Sequence, residues 1–278
     1  MAATIDHGLR ADAPKEAEMV AELCSGLAIP HETKRVTTEP GNVQDRAREV
    51  RYAALCSSFG QRGVLAFATA HHADDQAETV LMRLARGSGL AGLAGIRERR
   101  LILGEKPLGE YLVVRPLLHW RRADLRHIVD AAAIDSARDP SNEDDRFDRV
   151  RMRERLAEMP WLDPLAVARS AGLLQQAEAA VGDAVATTIA GAVHHEGEVT
   201  WVRWGYSAFI QTEVVRHVLR GFGADAPRSA VAQMVEQLLT DGHATLAGVM
   251  ARRAMYQKDK LTQADAWRFE REPARRTA

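Results

Sequence analysis

The chain has little cysteine: two residues, Cys24 and Cys56, in 278. Neither belongs to a CxxC pair or to a metal-ligand spacing. A zinc module or a disulfide framework is therefore excluded as an organising feature, and both are expected to be reduced, buried thiols. Lysine is also scarce. Only Lys15, Lys34, Lys106, Lys258 and Lys260 stand among 37 basic residues, which leaves 32 arginines. No stretch approaches the roughly 20 apolar residues of a membrane span, and the N-terminus has no basic-then-apolar leader. A cytoplasmic protein with no membrane partner is the expectation. The net charge of -1 exerts no global pull on nucleic acid. No GxxxxGK[ST] sequence is present, so a Walker-type NTPase is excluded.

What remains is a chain long enough for a core in each of two domains, with 46% hydrophobic residues and a mean hydropathy of -0.26. Its most informative segment runs from Thr69 to Gly95. There His71, His72, Asp74, Asp75 and Glu78 crowd together where an apolar run, Val64 to Ala68, gives way to a helical pattern. Open α/β folds place their chemistry at the mouths of strands.

Ala3 to Ile5 reads as the end of a buried strand, and Asp6-His7-Gly8-Leu9-Arg10 as a turn leaving its carboxyl end. Between Pro14 and Leu27, the residues Ala17, Val20, Ala21, Cys24 and Leu27 recur at three- and four-residue spacing, which predicts a helix. Pro30 stops it, and His31 to Val36 is a second strand. Gly41-Asn42 opens a loop. Val43 to Phe59 is a helix carrying Arg46, Arg48 and Arg51. Val64 to Thr69 is a short buried strand, and Asp74 to Ala85 a helix with Val80, Leu81 and Leu84 inward. Strands alternating with helices at this pitch predict an α/β fold: a parallel sheet with flanking helices.

Further along, Tyr111 to Leu118 is a strand-like run and Arg121 to Ala133 a helix. Asp139-Pro140-Ser141-Asn142 is a turn. Arg149 to Leu156 is a helix, and Leu165 to Ala192 an alanine-rich helical spacer. A strand (Val199 to Trp204), helices near Gln211 to Arg220 and Ser229 to Thr240, and a hairpin turning at Lys258-Asp259-Lys260 complete a small α+β C-terminal domain. The expected division is 1-158 for the α/β domain and 159-278 for the linker and C-terminal region.

On a helix beginning near Asp74, Asp75 and Glu78 stand three apart and share a face. His71 and His72 lie beside its positive end. Three readings follow. Imidazole and carboxylate together can bind a metal, but no second cluster completes a site, and no metal ligand is assigned. Asp75 can be an N-cap with Glu78 as its capping-box partner. Asp75 and Glu78 can recognise a cation such as an amino group. The last two are compatible.

Gly87-Ser88-Gly89-Leu90-Ala91-Gly92 matches GxGxxG, yet it follows a helix where a dinucleotide loop must follow a strand. Gly87 more simply ends the helix in a left-handed conformation. Arg83, Arg86, Arg97, Arg99 and Arg100 face one acid, Glu98, in this stretch. Such a local basic patch suits bidentate phosphate contacts.

Five motifs occur in order: Asp6-His7-Gly8-Leu9-Arg10; Asn42-Val43-Gln44 with Ala47-Arg48-Glu49-Val50-Arg51-Tyr52; the Thr69 segment through Gly89; Arg115-Pro116-Leu117-Leu118; and Asp139-Pro140-Ser141-Asn142. Together they resemble the tRNA(Ile)-lysidine synthase family of the PP-loop (N-type) ATP pyrophosphatase superfamily. The resemblance covers residues 3 to about 160 and is thin beyond. It implies an adenine nucleotide alpha-hydrolase-like fold and an enzyme that uses ATP with Mg2+. Such an enzyme adenylates C2 of the wobble cytidine of a CAU-anticodon tRNA(Ile), and an amino group of free L-lysine then displaces AMP. By the same resemblance Asp75 and Glu78 would hold lysine's ammonium groups, and Arg51 would pair with its carboxylate or with phosphate. His7 and His71 would sit beside the nucleotide phosphates, while Arg86, Gly87 and Gly89 would border the nucleotide pocket. The arginines of 97 to 100 would meet tRNA phosphates, the C-terminal region would bind the acceptor stem, and a homodimer is implied.

Two positions depart from the family. Its SGGxDS loop, which grips pyrophosphate through backbone N–H groups at a helix N-terminus, belongs one strand and one helix before Asp6. The 278 residues contain no Gly-Gly dipeptide. The expected sheet therefore lacks its first strand and exposes an edge. The expectation is that the recorded start lies too late, with Met1 inside the second strand. The alternatives are an inactive fragment that only binds tRNA, or another PP-loop tRNA-modifying enzyme such as a thiolase, for which Cys24 and Cys56 lack the spacing. The second departure is Arg149-Val150-Arg151, where the family has an arginine-asparagine pattern and valine supplies no amide.

Overall fold

The computed structural model describes residues 1–8, 12–36, 43–104, 109–137, 146, 148–257 and 263–273. The chain forms two compact units, Met1–Gln175 and Gln176–Ala278.

In the first unit β1 (Ala2–Asp6) pairs in parallel with β2 (His31–Arg35), in register from Ala2 opposite His31 to Asp6 opposite Arg35. The crossover is α1 (Ala13–Gly26). Proline in its first turn is pre-set for the helical φ, and Ala17 and Cys24 are its buried residues. The helix α2 (Val43–Gly60) then leads to β3 (Ala66–Ala68), which pairs in parallel with β5 (Glu110–Val114). On the other side of β5 lies β4 (Arg99–Leu103), antiparallel. The strands form two sheets, β1-β2 and β3-β5-β4. Both rest on α2. Leu55, Cys56 and Phe59 bury against Phe67, Tyr111 and Val113, and Ala3 and Ile5 of β1 pack against the same cluster. The Phe59 and Phe67 rings stack at 5.3 Å. The sheet faces are thus covered by one helix even where the strands are not joined by a ladder.

The parallel α/β fold is present, and the differences from the sequence reading have local causes. β4 was not anticipated, because Leu101 and Leu103 are 62% and 82% exposed and no burial pattern marks the strand. The run from Tyr111 stops at Val114, since Pro116 has no N–H for the ladder. Leu65 and Leu84 were expected to face inward; both are exposed. In the helix α3 (Ala73–Ala85) the buried positions are Ala73, Gln76, Ala77 and Glu78, so the inward face carries polar groups and small residues, which an apolar periodicity cannot reveal. Three shorter helices follow: α4 (Leu90–Leu93), α5 (Arg122–Ala131) and α6 (Asp148–Ala157).

The long helix α7 (Pro164–Ala192) runs through the boundary between the units. The second unit is a five-stranded antiparallel sheet ordered β6-β7-β10-β9-β8. Its strands are β6 (Val193–Glu196), β7 (Val199–Arg203), β8 (His243–Leu246), β9 (Val249–Gln257) and β10 (Gln263–Arg271). The helices α8 (Ala208–Gly221) and α9 (Arg228–Thr240) cover one face, where Val202, Trp267 and Phe269 meet Val215, Leu219 and Leu238. β6 was not foreseen from the sequence. The turns at Leu9-Arg10, Gly41-Asn42, Asp139-Pro140-Ser141-Asn142 and Lys258-Asp259-Lys260, and the side chains of Arg46 and Arg48, lie outside the described residues.

Candidate active site

Functional side chains gather at the carboxyl ends of β1 and β3. At the end of β1 the Asp6 carboxylate is buried. It accepts the Gly8 N–H at 2.8 Å, which bends the chain at Gly8, whose φ is +64°. His7 projects between them. Its Nε2 accepts a hydrogen bond from Arg51 Nε on α2 at 3.3 Å. Burial, then the Arg51 charge, hold the His7 pKa below the ordinary 6.5, with Asp6 opposing them. His7 is thus a neutral acceptor at neutral pH.

The next residue on α2, Tyr52, accepts from Arg115 Nη2 at 3.0 Å. Arg115 is 2% exposed, and its Nη1 donates to the Arg97 carbonyl. The Arg-Pro-Leu-Leu segment therefore inserts a guanidinium under the strand ends. Sequence reasoning took Arg115 only as part of a motif; nothing in its neighbours announces burial.

At the end of β3, Thr69 N donates to the Val114 carbonyl, and the Thr69 hydroxyl meets His71 Nδ1 at 3.0 Å. The N-cap of α3 is His72, not Asp75. Its backbone is extended (φ -123°, ψ -179°), and its Nδ1 accepts from Asp75 N at 3.3 Å. Asp75 Oδ2 in return accepts from His72 N at 3.0 Å. This is the reciprocal capping box with imidazole in place of a hydroxyl and Asp75 at N3, one turn earlier than the sequence suggested. Asp74 Oδ2 accepts from Arg122 N at 2.8 Å, at the start of α5. Carboxylates in the first turn of α3 are favoured by the helix dipole.

Glu78 lies one turn further on and is 1% exposed. Arg153 Nε donates to its Oε1 at 2.9 Å, and Arg149 Nε stands 3.1 Å from its Oε2, both arginines coming from α6. Arg149 also reaches to 3.9 Å from Asp75. Asp75 and Glu78 share a face of α3, where Arg149 reaches both and Arg153, which sequence reasoning did not single out, holds Glu78. Its signal was the four-residue spacing of Arg149 and Arg153 on one helix face.

Arg86, Gly87 and Gly89 sit at the opposite end of α3, about 20 Å along its axis from His71 by helical rise. Arg86 is the C-cap and pairs with Asp148 at 2.8 Å. Gly87 has φ +68°, the left-handed C-terminal residue expected. The loop then runs back alongside the helix. Arg83 Nη1 donates to the carbonyls of Gly92 and Gly95. Gln76 both accepts from Ile96 N at 2.6 Å and donates to Ile96 O at 3.0 Å, and Gln175 donates to Ala94 and Ile96 carbonyls. Gly95 has φ +66°, and a methyl group there would collide with the Gln76 amide. The glycine segment is thus a clamped loop, not a dinucleotide cradle.

A family model described as a PP-loop domain matches residues 1–159. The tRNA(Ile)-lysidine synthase of Novosphingobium aromaticivorans is 39% identical over 290 residues, covering 99% of this chain and 82% of that protein. That of Zymomonas mobilis subsp. mobilis is 36% identical over 286 residues, covering 100% and 82%. That of Ruegeria pomeroyi is 47% identical over 157 residues, covering 56% of this chain and 36% of that protein.

Proposed function

The chain belongs to the tRNA(Ile)-lysidine synthase family of PP-loop proteins, and from that premise we propose that its first unit joins L-lysine to the wobble cytidine of a CAU-anticodon tRNA(Ile). In this reaction the C2 oxygen of the cytidine attacks the α-phosphorus of ATP and pyrophosphate leaves. A lysine amine then forms a C–N bond at C2, and AMP departs with the oxygen.

The observation that carries the reading is the placement of His7, with its partner Arg51, at the carboxyl end of β1 and of His71 and Asp75 just beyond the carboxyl end of β3, where α/β folds bind their ligands. Arg51 is the cation beside phosphate or the lysine carboxylate, flanked by the neutral His7. His71 lies beside the phosphates. Asp75 takes a lysine ammonium group. Glu78, at 1% exposure, acts on the same site at one remove, by holding Arg149 and Arg153. Mg2+ arrives with the triphosphate, and no side chain is assigned to it. Arg86, Gly87 and Gly89, at the far end of α3 from His71, are not assigned to the phosphate side of the pocket. The proposal extends to a homodimer, which sedimentation would register.

The test is transfer of [14C]lysine to CAU-anticodon tRNA in the presence of ATP. Incorporation is expected, with one pyrophosphate released per lysine. A second reading is binding of tRNA without catalysis. It gains if tRNA binds and no label enters. Sulfur transfer without lysine would point instead to a thiolase. In the described residues no helix is long and apolar enough to cross a membrane.

A further inference from the structure

We propose that Trp120 and Trp161 form a stacking platform for unpaired bases of the RNA substrate, set beside the first turn of α3; this rests on the proposed function. Both indoles lie on the surface of the first unit, Trp120 at 45% and Trp161 at 77% exposure. Tryptophan is highly buried on average, so two exposed ones on segments joined by an ion pair ask for a partner.

Their segments are tied together. Arg121, which follows Trp120, pairs through Nη1 with Asp163 Oδ1 at 3.0 Å, two residues beyond Trp161. The platform is also tied to the site. Ala73 N, in the first turn of α3, donates to the Trp120 carbonyl at 2.9 Å, and Arg122 N donates to Asp74 at 2.8 Å. A ligand stacked on Trp120 therefore lies next to the His72–Asp75 capping box.

The charge around the rings selects the partner. Arg121, Arg122 and Arg169 stand here against Asp163 and Asp124. Arg121 and Arg169 share Asp163, and Asp124 accepts from Arg121 N. The surface of Arg122 is exposed, and its guanidinium makes no ion pair among the described residues. Aromatic faces interleaved with arginines are what unpaired, splayed bases and their phosphates require. A purely apolar partner would leave the exposed guanidinium of Arg122 without an anion, whereas RNA supplies a phosphate to it. Lysine recognition has no use for two indoles, whereas a hairpin loop presented to an enzyme that acts on one of its bases does.

The experiment is fluorescence anisotropy with a labelled RNA hairpin whose loop carries CAU, and with the same stem closed by an abasic loop. W120A and W161A are expected to weaken the CAU hairpin roughly ten-fold each, the value for loss of one base–aromatic stack. W120F and W161F should recover most of the loss. The melting temperature of W161A should stay unchanged, because Trp161 is 77% exposed, and W120F controls for the packing that W120A removes from the half-buried Trp120. The abasic hairpin should bind the wild-type chain as weakly as the CAU hairpin binds the W120A/W161A double variant. Wild-type binding of the hairpin with no effect of either alanine overturns the platform alone and leaves the proposed function standing. An equal loss with a loopless duplex overturns it in favour of backbone contacts. A shift of W161A from dimer to monomer with unchanged RNA affinity overturns it in favour of a second copy of this chain. No binding of any RNA by the wild-type chain overturns both proposals.

Discussion

Arg153 Nε and Glu78 Oε1, 75 positions apart in sequence, meet at 2.9 Å and fasten α6 to α3. With Arg149 on the other oxygen, the buried carboxylate is enclosed by two guanidinium groups. Glu78→Gln keeps the shape and removes the charge, leaving two arginines facing a neutral amide. Breaking a buried pair costs several kcal/mol, but the arginines are 42% and 32% exposed and water offsets part of that. The expected loss is about 1–3 kcal/mol. Thermal unfolding of the variant should show a decrease of some ~2–10 °C. A melting temperature equal to wild type would mean that the pair contributes nothing to holding the helices together.

Asp75 and Glu78 should separate in ligand binding. Asp75 retains 17% side-chain exposure, enough for a ligand ammonium to reach an oxygen, while Glu78 offers 1%. Asp75→Asn removes one charge-assisted contact, worth about 1.5–3 kcal/mol, so lysine affinity by calorimetry should fall roughly ten- to hundred-fold. Glu78→Gln should act mainly on stability. Equal lysine affinity in Asp75→Asn and wild type removes Asp75 from the amino-acid site.

The Gln76–Ile96 pair predicts a third result. Gln76 satisfies both backbone groups of Ile96, and Ile96 is 8% exposed. Gln76→Leu leaves a buried N–H without its acceptor, at about 1–3 kcal/mol. Amide exchange should accelerate selectively between Gly92 and Arg97, because the loop loses one of its two ties to α3 while those of Arg83 and Gln175 remain. Gly95→Ala should produce the same pattern through strain at positive φ. Uniform acceleration across the first unit would indicate global destabilisation instead.

What could be read from the sequence divides along physical lines. The strand–helix alternation from Ala3 to Ala85 was legible because apolar spacing and turn residues agree there, and Gly87 was legible as a helix end because only glycine tolerates that φ cheaply. β4 was not, since a half-exposed edge strand carries no burial pattern. The cap of α3 was misplaced by one turn because imidazole served where a hydroxyl or carboxylate was sought. The cluster itself was visible as a concentration of His and Asp. The residues that organise it were not: Arg115, Gln76, Arg149 and Arg153 act across long sequence separations, and the four-residue spacing of Arg149 and Arg153 marks a shared helix face without naming the carboxylate it meets.

The contact between His7 and Arg51 sets a pH dependence. His7 has its pKa lowered first by burial and second by the Arg51 charge. A depressed folded value means that the unfolded chain binds the proton more readily, so stability rises with pH across the interval between the two values. The contribution is present above the ordinary 6.5 and is lost as pH falls through the folded value. Protonation would also place a cation against Arg51 and turn Nε2 from acceptor to donor, breaking the 3.3 Å hydrogen bond. Phosphate binding at Arg51 should follow the same titration, because an Arg51 released from His7 is free to reorient. Arg51→Gln should raise the His7 pKa toward 6.5 without reaching it, since burial, the larger cause, persists. Histidine ring NMR across the acid range would measure both. A wild-type His7 that titrates at or above 6.5, or one that is unmoved by Arg51→Gln, would contradict the assigned causes.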